Sequence, residues 1–248
     1  MHVKVAGTGP DLVLLHGWGM NADVWDEVAV ILARQFRVHS VELPTASSAP
    51  NALQGMVDTI AAASTPRASV CGWSLGGQVA LGWAQLRPGQ VERLVLIATT
   101  PRFVQAPDWD HGMEPAVFDA FVQSLAQDVD GTLQRFLLLQ VHGDTAARNV
   151  ARRLRECIAA PGHRDIAALA GGLQLLKDTD LRPDLPAIQQ PVLILHGDHD
   201  AVVPPAAGEY LRRTLPHAEL ETIAGAAHAP FIAQPQAVAQ HIAKFCHG

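Results

Sequence analysis

A serine stands between glycines in the run GWSLGG, residues 72–77. The run fits the pattern G-x-S-x-G, in which a sharp strand-to-helix turn lifts the hydroxyl of Ser74 above a sheet while the flanking glycines leave room for the turn. A helix that begins directly after the serine also favours negative charge beside it. The spacing therefore indicates a nucleophilic serine. The alternative is a glycine-containing turn in which the serine has no chemical role.

A nucleophilic serine needs a base, and the base needs an acid that orients it. The run ILHGDHDAVVP offers Asp198 and Asp200 past a strand end. We favour Asp200, because it lies in the loop beyond the glycine, and we expect Asp198 to brace the turn. His228 stands in the small-residue run AGAAHAPFIAQP, directly before the final helix. The chain order Ser74, Asp200, His228 is one of the known orders of a serine triad.

Charge that develops on a substrate carbonyl oxygen needs N–H donors aimed at it. The run LLHGWGMNADVW places Gly17 and Gly19 in a loop after a strand, where a backbone N–H can point into the site. We expect the N–H groups of Trp18 and Leu75 to form this oxyanion hole. A plain turn is the alternative interpretation of the two glycines.

The run HGDHD, residues 196–200, contains two histidines and two aspartates. On a strand end these side chains point to different sides, and no second cluster completes a ligand set. We therefore expect no metal site and no cofactor.

The elements that must hold these groups are short apolar runs alternating with helix-like segments. Runs rich in Val, Ile and Leu suit strands buried on both faces. The alternation predicts an α/β fold with a mostly parallel central sheet and helices on both faces. The predicted strands are residues 11–17, 36–44, 68–72, 92–101, 191–200 and 218–228. The predicted helices between and after them are residues 25–35, 53–63, 76–86, 208–214 and 236–245.

The alternation stops between residues 102 and 182, where the sequence predicts helices only. We interpret this segment as a helical lid inserted between two strands, with residues 1–101 and 183–248 forming the core and residues 102–182 the lid. The predicted lid helices read PAVFDAFVQSLAQ, GTLQRFLLLQVHG, TAARNVARRLRECIA and DIAALAGGLQLLK.

Composition excludes several classes of protein. The net charge of -6 argues against a general nucleic-acid binder, which has a basic balance. No apolar run reaches the roughly 18 residues of a membrane span, and the first residues lack the pattern of a secretory signal. Three widely spaced cysteines indicate free thiols in a reducing compartment. We therefore expect a cytoplasmic protein with no membrane or nucleic-acid partner.

The chain resembles the α/β-hydrolase superfamily, and more closely the family of pimeloyl-[acyl-carrier protein] methyl ester esterases of biotin synthesis. The resemblance covers nearly the whole chain and rests on LVLLHGWGMNADVW, GWSLGGQVA, RFLLLQVHGDTAAR, GGLQLLKDTDLR and AAHAPFIAQP. It implies the α/β-hydrolase fold and a serine triad of Ser74, Asp200 and His228. The loop ELPTASSAPN departs from the family pattern D-L-P-G-x-G-x-S, so the resemblance does not fix a chain-length preference.

The resemblance also implies a set of substrate-binding residues, of which residues 136–140 border an acyl channel. The alternative for residues 136–139 is core packing within the lid helix, which we expect for at least two of the four. The implied residues are Trp18, Ser74, Leu75, Phe136, Leu137, Leu138, Leu139, Gln140 and His228.

Arginines cluster in the predicted lid. Arg148, Arg152 and Arg155 fall on one face of a helix, and Arg135 adds to the local charge. A basic face on an acidic protein suits an acidic partner. The resemblance favours docking of a small, acidic acyl carrier protein, and the alternative is a solvated helix face.

The predicted function is a serine carboxylesterase that hydrolyses the methyl ester of pimeloyl-acyl-carrier protein, acting as a monomer. Two alternatives remain open on the residues alone. One is a general short-chain carboxylesterase, lactonase or thioesterase on the same scaffold. The other is a ligand-binding protein that keeps the fold without turnover.

Overall fold

One sheet organises the molecule. The structure, a computed structural model, describes residues 2–46, 51–159 and 165–247, and in that part of the chain seven strands pair in the order β1-β3-β2-β4-β5-β6-β7. Strands β2 to β7 pair in parallel, and β1 pairs antiparallel with β3, so the predicted mostly parallel sheet is confirmed. The strands are β1 Val3–Ala6, β2 Asp11–Leu15, β3 Arg37–Val41, β4 Ala68–Trp73, β5 Val91–Ile97, β6 Val192–Gly197 and β7 Ala218–Ile223.

Strand β1 is absent from the predicted strands. It has four residues, it lies at the edge of the sheet, and Val5 is 53% exposed. Such a strand is held by backbone hydrogen bonds to one neighbour and buries little apolar surface, so it leaves almost no hydrophobic pattern to detect.

Helices cover both faces of the sheet, as predicted. Alternate residues of β2 enter different apolar clusters, with Leu12 and Leu14 packing against α1 and α10 and Val13 and Leu15 against α2, α3 and α8. No helix in the described part of the chain is long and apolar enough to cross a membrane. The helices are α1 Asp26–Leu32, α2 Ala52–Ala63, α3 Leu75–Leu86, α4 Pro115–Gln127, α5 Val129–Gln140, α6 Ala147–Ala159, α7 Ile166–Asp178, α8 Pro205–Thr214, α9 Pro230–Ala233 and α10 Pro235–His247.

Among the described residues between β5 and β6, the structure has four helices, α4 to α7, where the sequence predicts lid helices. Their buried side chains join the clusters of the sheet. Leu137 and Leu154 pack with the α1 and α10 face, whereas Phe118 and Leu173 pack with the α2 and α3 face. The lid helices therefore do not form a hydrophobic core of their own.

An ion-pair network joins the two ends of the lid segment. Arg102 and Asp180 form an isolated antiparallel bridge, and Arg102 Nη1 donates to Asp180 Oδ2 at 2.8 Å. Arg182 donates to both Asp180 oxygens, at 2.8 and 2.7 Å, and stacks over the ring of Trp109. Hydrogen bonds from Arg182, opposed in part by burial and assisted by Arg102, lower the pKa of Asp180 to about 2.

Candidate active site

Ser74 lies in a strained turn between β4 and α3. Its backbone has φ 55° and ψ −118°, in the region that favours glycine. The turn is tight enough that a Cβ on Gly72 would lie 2.2 Å from the carbonyl oxygen of Gly76, which explains the glycine. Thr99 Oγ1 donates to the carbonyl oxygen of Ser74 at 2.6 Å and holds the turn in place.

His228 reaches this serine from the loop after β7. Its Nε2 lies 3.1 Å from Ser74 Oγ, and the side chain is fully buried. The indole Nε1 of Trp73 donates to the carbonyl oxygen of His228 at 2.7 Å, so a residue next to the serine also fixes the histidine backbone.

Asp200 completes the line of hydrogen bonds. Its Oδ2 lies 2.9 Å from His228 Nδ1, while its Oδ1 accepts from the N–H groups of Val202 and Val203. Burial alone would raise the pKa of the Asp200 carboxyl, but the charges and hydrogen bonds of His228 and His196 outweigh burial and hold the pKa well below its usual range. The carboxylate is therefore ionised and can stabilise a protonated His228.

Asp198, the other acid of this segment, lies outside the site. Its Oδ1 accepts from Gly225 N–H at 2.7 Å, and it braces the loop that leads to His228. The structure thus brings Ser74, His228 and Asp200 together and leaves Asp198 in the turn.

The two expected oxyanion donors flank the serine. Leu75 is the first residue of α3, and Trp18 lies in the loop after β2. Neither backbone N–H donates to another group within the described part of the chain. His16 shapes the Trp18 loop, since Nδ1 donates to Gly17 O at 2.9 Å and Nε2 accepts from Leu43 N–H at 3.0 Å.

The lid fixes the side chain of Trp18. The indole Nε1 donates to the carbonyl oxygen of Leu169 in α7 at 2.8 Å. One turn on, a Cβ at Gly172 would lie 2.7 Å from the indole ring, so only glycine lets α7 approach this closely. The GG pair of the lid motif GGLQLLK is therefore explained in part by contact with the site.

An apolar pocket opens beside Ser74. Phe136 and Leu139 of α5 line it, as the resemblance implies. Five of its twelve lining residues come from α4 and α7 and are not singled out by the sequence analysis, although the apolar spacing in PAVFDAFVQSLAQ carries a signal for α4. The full lining is Trp18, Ser74, Phe103, Met113, Val117, Phe118, Phe121, Phe136, Leu139, Leu173, Leu176 and Val202.

Three of the five α5 residues implied as substrate-binding do not line this pocket, which is a correction to the expected acyl channel. Leu137 is 1% exposed and packs in the cluster on the α1 and α10 face, and Leu138 is 58% exposed. Gln140 is buried, but its side chain does not line the pocket, and its Nε2 has no partner in the described residues. Helix geometry is the reason, because consecutive residues point about 100° apart.

The run HGDHD holds no cluster of ligands. His196 Nε2 lies 3.0 Å from Val203 O, whereas His199 is exposed and its Nδ1 donates to Gly143 O. Among residues 2–46, 51–159 and 165–247, no group of three or more His, Cys, Asp or Glu side chains is placed to hold a metal ion.

The predicted partner arginines lie on α5 and α6. Arg148 and Arg155 are exposed, while Arg152 pairs with Glu156 at 2.9 Å. Arg135 donates to Thr132 Oγ1 within α5. The neighbouring Arg153 instead points inward and donates to Asp26 of α1 at 3.0 Å.

The position of these groups on the sheet defines a class of protein. The serine follows a central parallel strand, the acid and the histidine follow the next two strands of the sheet beyond β5, and all three meet at the carboxyl edge. This is the arrangement of the α/β hydrolases that use serine as nucleophile.

Comparison with known proteins leads to the same class. A profile of the α/β hydrolase fold matches residues 10–235. The chain is 42% identical over 240 residues to the pimeloyl-[acyl-carrier protein] methyl ester esterase of Nitrosomonas europaea, with 95% of each chain covered. It is 44% identical over 250 residues to the protein of that name from Stenotrophomonas maltophilia, covering 99% of this chain and 96% of the relative. The chain therefore belongs to the α/β-hydrolase fold family and, within it, to the family of these methyl ester esterases.

Solved structures show the same fold. The esterase EaEST from Exiguobacterium antarcticum superposes with a TM-score of 0.87 at 22% identity, covering 100% of this chain and 95% of that one. At this identity the similarity supports the fold only, and the substrate must be inferred from the residues of the site.

Proposed function

We propose that this chain is a serine carboxylesterase that hydrolyses the methyl ester of a pimeloyl group carried by acyl carrier protein, and so acts in biotin synthesis. The observation that carries the proposal is the buried line from Asp200 through His228 to Ser74 Oγ, which ends at an apolar pocket. Membership in the methyl ester esterase family supports the choice of substrate.

In the first half of the reaction, Ser74 Oγ attacks the ester carbonyl while His228 Nε2 takes the hydroxyl proton. Asp200 holds the imidazole through Nδ1 and stabilises its positive charge. The N–H groups of Trp18 and Leu75 donate to the developing oxyanion. The tetrahedral intermediate collapses, His228 returns the proton to the methoxy oxygen, and methanol leaves.

In the second half, a water molecule attacks the acyl-enzyme carbonyl and gives its proton to His228. Collapse of the second intermediate protonates Ser74 Oγ and releases the pimeloyl carboxylate. The apolar side chains of α4, α5 and α7 suit the methylene chain of the acyl group, whose burial contributes roughly 0.8 kcal/mol per CH₂.

The proposal extends to the partner and the location of the chain. Arg135, Arg148, Arg152 and Arg155 receive the acidic carrier protein on the lid, and the enzyme works as a monomer in the cytoplasm. Exposure of Arg148 and Arg155 supports the docking face, and the free thiols of the three cysteines suit a reducing compartment.

The test is methanol release from pimeloyl-carrier methyl ester, with growth rescue of a biotin-requiring strain that lacks such an esterase. We expect the wild-type chain to release methanol and rescue growth, and the Ser74→Ala variant to do neither. Hydrolysis of small esters without rescue would favour a general carboxylesterase. Absence of any turnover, with no labelling of Ser74 by a fluorophosphonate, would favour a ligand-binding protein.

A further inference from the structure

The segment between α5 and α6 is hydrogen-bonded to the loop that carries His228. His228 N–H donates to the carbonyl oxygen of Gln140 at 3.1 Å, and Thr145 N–H donates to the carbonyl oxygen of Gly225 at 2.8 Å. These bonds join the lid to the catalytic loop across 80 residues of sequence or more. The lid therefore forms part of the support for the histidine.

Asp144 is the charged member of this connection. Its Oδ2 accepts from the N–H of Ala227, the residue before His228, at 2.8 Å, and its Oδ1 accepts from Ala146 N–H at 2.7 Å. The side chain is buried, with 7% of the residue exposed. Both side-chain oxygens act as acceptors, so the side chain holds both N–H donors in place.

The histidine loop needs support from outside because its own side chains are small. Ala226, Ala227 and Ala229 flank His228, and each is fully buried. A methyl group packs but makes no directional bond, so the orientation of this backbone depends on hydrogen bonds to its N–H and C=O groups. Trp73 donates to the carbonyl oxygen of His228, Gln140 accepts from its N–H, and Asp144 accepts from the N–H of the residue before it.

We propose that Asp144 is a positioning residue for the reaction, because its buried carboxylate holds Ala227 N–H and thereby sets His228 between Ser74 and Asp200. This inference rests on the proposed function, in which His228 is the general base. Asp144 touches neither substrate nor the reacting atoms. A base displaced by a fraction of an ångström loses much of its effect, since proton transfer requires a narrow range of geometry.

The experiment compares Asp144→Ala and Asp144→Asn with Asp128→Ala on a p-nitrophenyl ester. Asparagine preserves the size of the side chain but has one carbonyl oxygen, so one of the two N–H donors faces an amide NH₂. Asp128 is the matched control, because it accepts from Gly131 N–H at the start of α5 and has no bond to the histidine loop. We expect kcat to fall about tenfold or more in both Asp144 variants with KM nearly unchanged, and kcat of Asp128→Ala to stay within about twofold of wild type.

Two further measurements separate positioning from folding and from failure of the proposed function. The melting temperature of Asp144→Asn should stay well above the assay temperature, so that the variant is folded, and its rate of Ser74 labelling by a fluorophosphonate should fall with kcat. Wild-type kcat in both Asp144 variants, or an equal loss in Asp128→Ala, would overturn the inference. A wild-type chain that hydrolyses no ester would overturn the proposed function itself.

Discussion

Ser74 combines a positive φ angle with a hydroxyl that faces a buried histidine. Strain of this kind persists only where the surroundings enforce it, here through Thr99 and the first turn of α3. The same turn leaves Leu75 N–H beside the serine, so one local backbone shape provides both the proposed nucleophile and a proposed donor for the oxyanion.

At the residue scale the first prediction concerns the hydrogen-bonded line. Ser74→Ala and His228→Ala should each lower ester turnover by at least about a thousandfold, and the double variant should be little worse, because these groups act as a unit. Steady-state rates of all three, beside Ser64→Ala as a remote serine control, provide the comparison. Turnover near the wild-type rate in Ser74→Ala would contradict the mechanism.

The sequence is enough to bring Ser74, Asp200 and His228 to one edge of the sheet, because each follows a predicted strand and parallel strands end at the same edge. The contact of Asp144 with the histidine loop, in contrast, cannot be predicted in this way. Its partner Ala227 lies 83 residues away, and nothing in the run HGD at residues 142–144 indicates which loop folds against it. Contacts of this kind depend on packing between distant segments, which no local pattern encodes.

Helix α5 is likewise predicted as an element, whereas the orientation of its side chains is not. Periodicity predicts the helix, but the residues of the motif FLLLQ divide among the pocket, the core and solvent. The rotation of the helix about its axis makes that division, and this rotation is set by packing against α4 and α6. Four consecutive apolar residues do not reveal it.

This division can be tested with a matched pair of substitutions. Leu139→Trp should narrow the pocket and lower kcat/KM for a p-nitrophenyl hexanoate several-fold more than for the acetate, because the longer acyl chain needs the space. Leu138→Trp adds the same bulk on an exposed side chain and should leave the ratio of the two rates unchanged. Equal effects of both substitutions would mean that α5 is rotated differently.

A second prediction for an element concerns α7 and the indole it contacts. Gly172→Ala should displace Trp18, since the new methyl would lie 2.7 Å from the ring, and should lower kcat/KM for small esters about tenfold. Gly55→Ala in α2 is the control, because no atom lies within 4 Å of its added methyl; it should keep full activity and gain up to about 1 kcal/mol in stability. An active Gly172→Ala enzyme would show that α7 can move away without disturbing Trp18.

The ion pairs at the base of the lid predict a pH-dependent term in stability. Asp180 has a pKa of about 2 in the folded chain, below its usual value of 3.8. Its ion pairs therefore stabilise the folded chain fully at pH values above 3.8, and this stabilisation is lost as the pH falls from 3.8 to about 2. Asp180→Asn should unfold more easily than wild type at pH 7, by on the order of 1 kcal/mol. The difference in the free energy of unfolding between wild type and Asp180→Asn should become smaller below about pH 4.

Denaturant unfolding of wild type and variant between pH 7 and pH 3 measures this term. Asp178→Asn, on an exposed side chain of α7, is the control and should show no gap that changes with pH. A gap for Asp180→Asn that stays constant down to pH 3 would mean that the charge of Asp180 does not stabilise the lid.

At the scale of the whole molecule, basic residues are concentrated in the lid segment, where they stand among 11 acidic residues. The chain has a net charge of -6, yet half of its 18 basic residues fall in residues 102–182. Not all of them face solvent, since Arg182 and Arg153 serve internal ion pairs. The exposed remainder on α5 and α6 is the surface that the proposed function assigns to the carrier.

Arg148→Glu combined with Arg152→Glu should therefore lower kcat/KM for the carrier-bound methyl ester several-fold or more, while hydrolysis of a p-nitrophenyl ester barely changes. Individual exposed pairs contribute about 1 kcal/mol or less, but several together raise the encounter rate, and added salt weakens them. Accordingly, NaCl should slow the wild-type reaction with the carrier and not the reaction with the small ester.

The control is Arg212→Glu with Arg213→Glu at the end of α8, which changes the net charge equally on another exposed surface. Measurements of kcat/KM on both substrates at low and high salt separate the outcomes. Equal losses on both substrates would mean that the lid arginines support folding. No loss on either substrate would place the carrier elsewhere.

The hydrogen bonds between the lid and the two catalytic loops also bear on how such enzymes diversify. Trp18 depends on Leu169, and the loop of His228 depends on Gln140 and Asp144, so the inserted segment and the core cannot vary independently. A chimaera that receives the helices of a relative would need the matching loop partners to stay active. New specificities in this lineage should therefore arise more readily by substitution along the pocket wall than by exchange of the whole insertion.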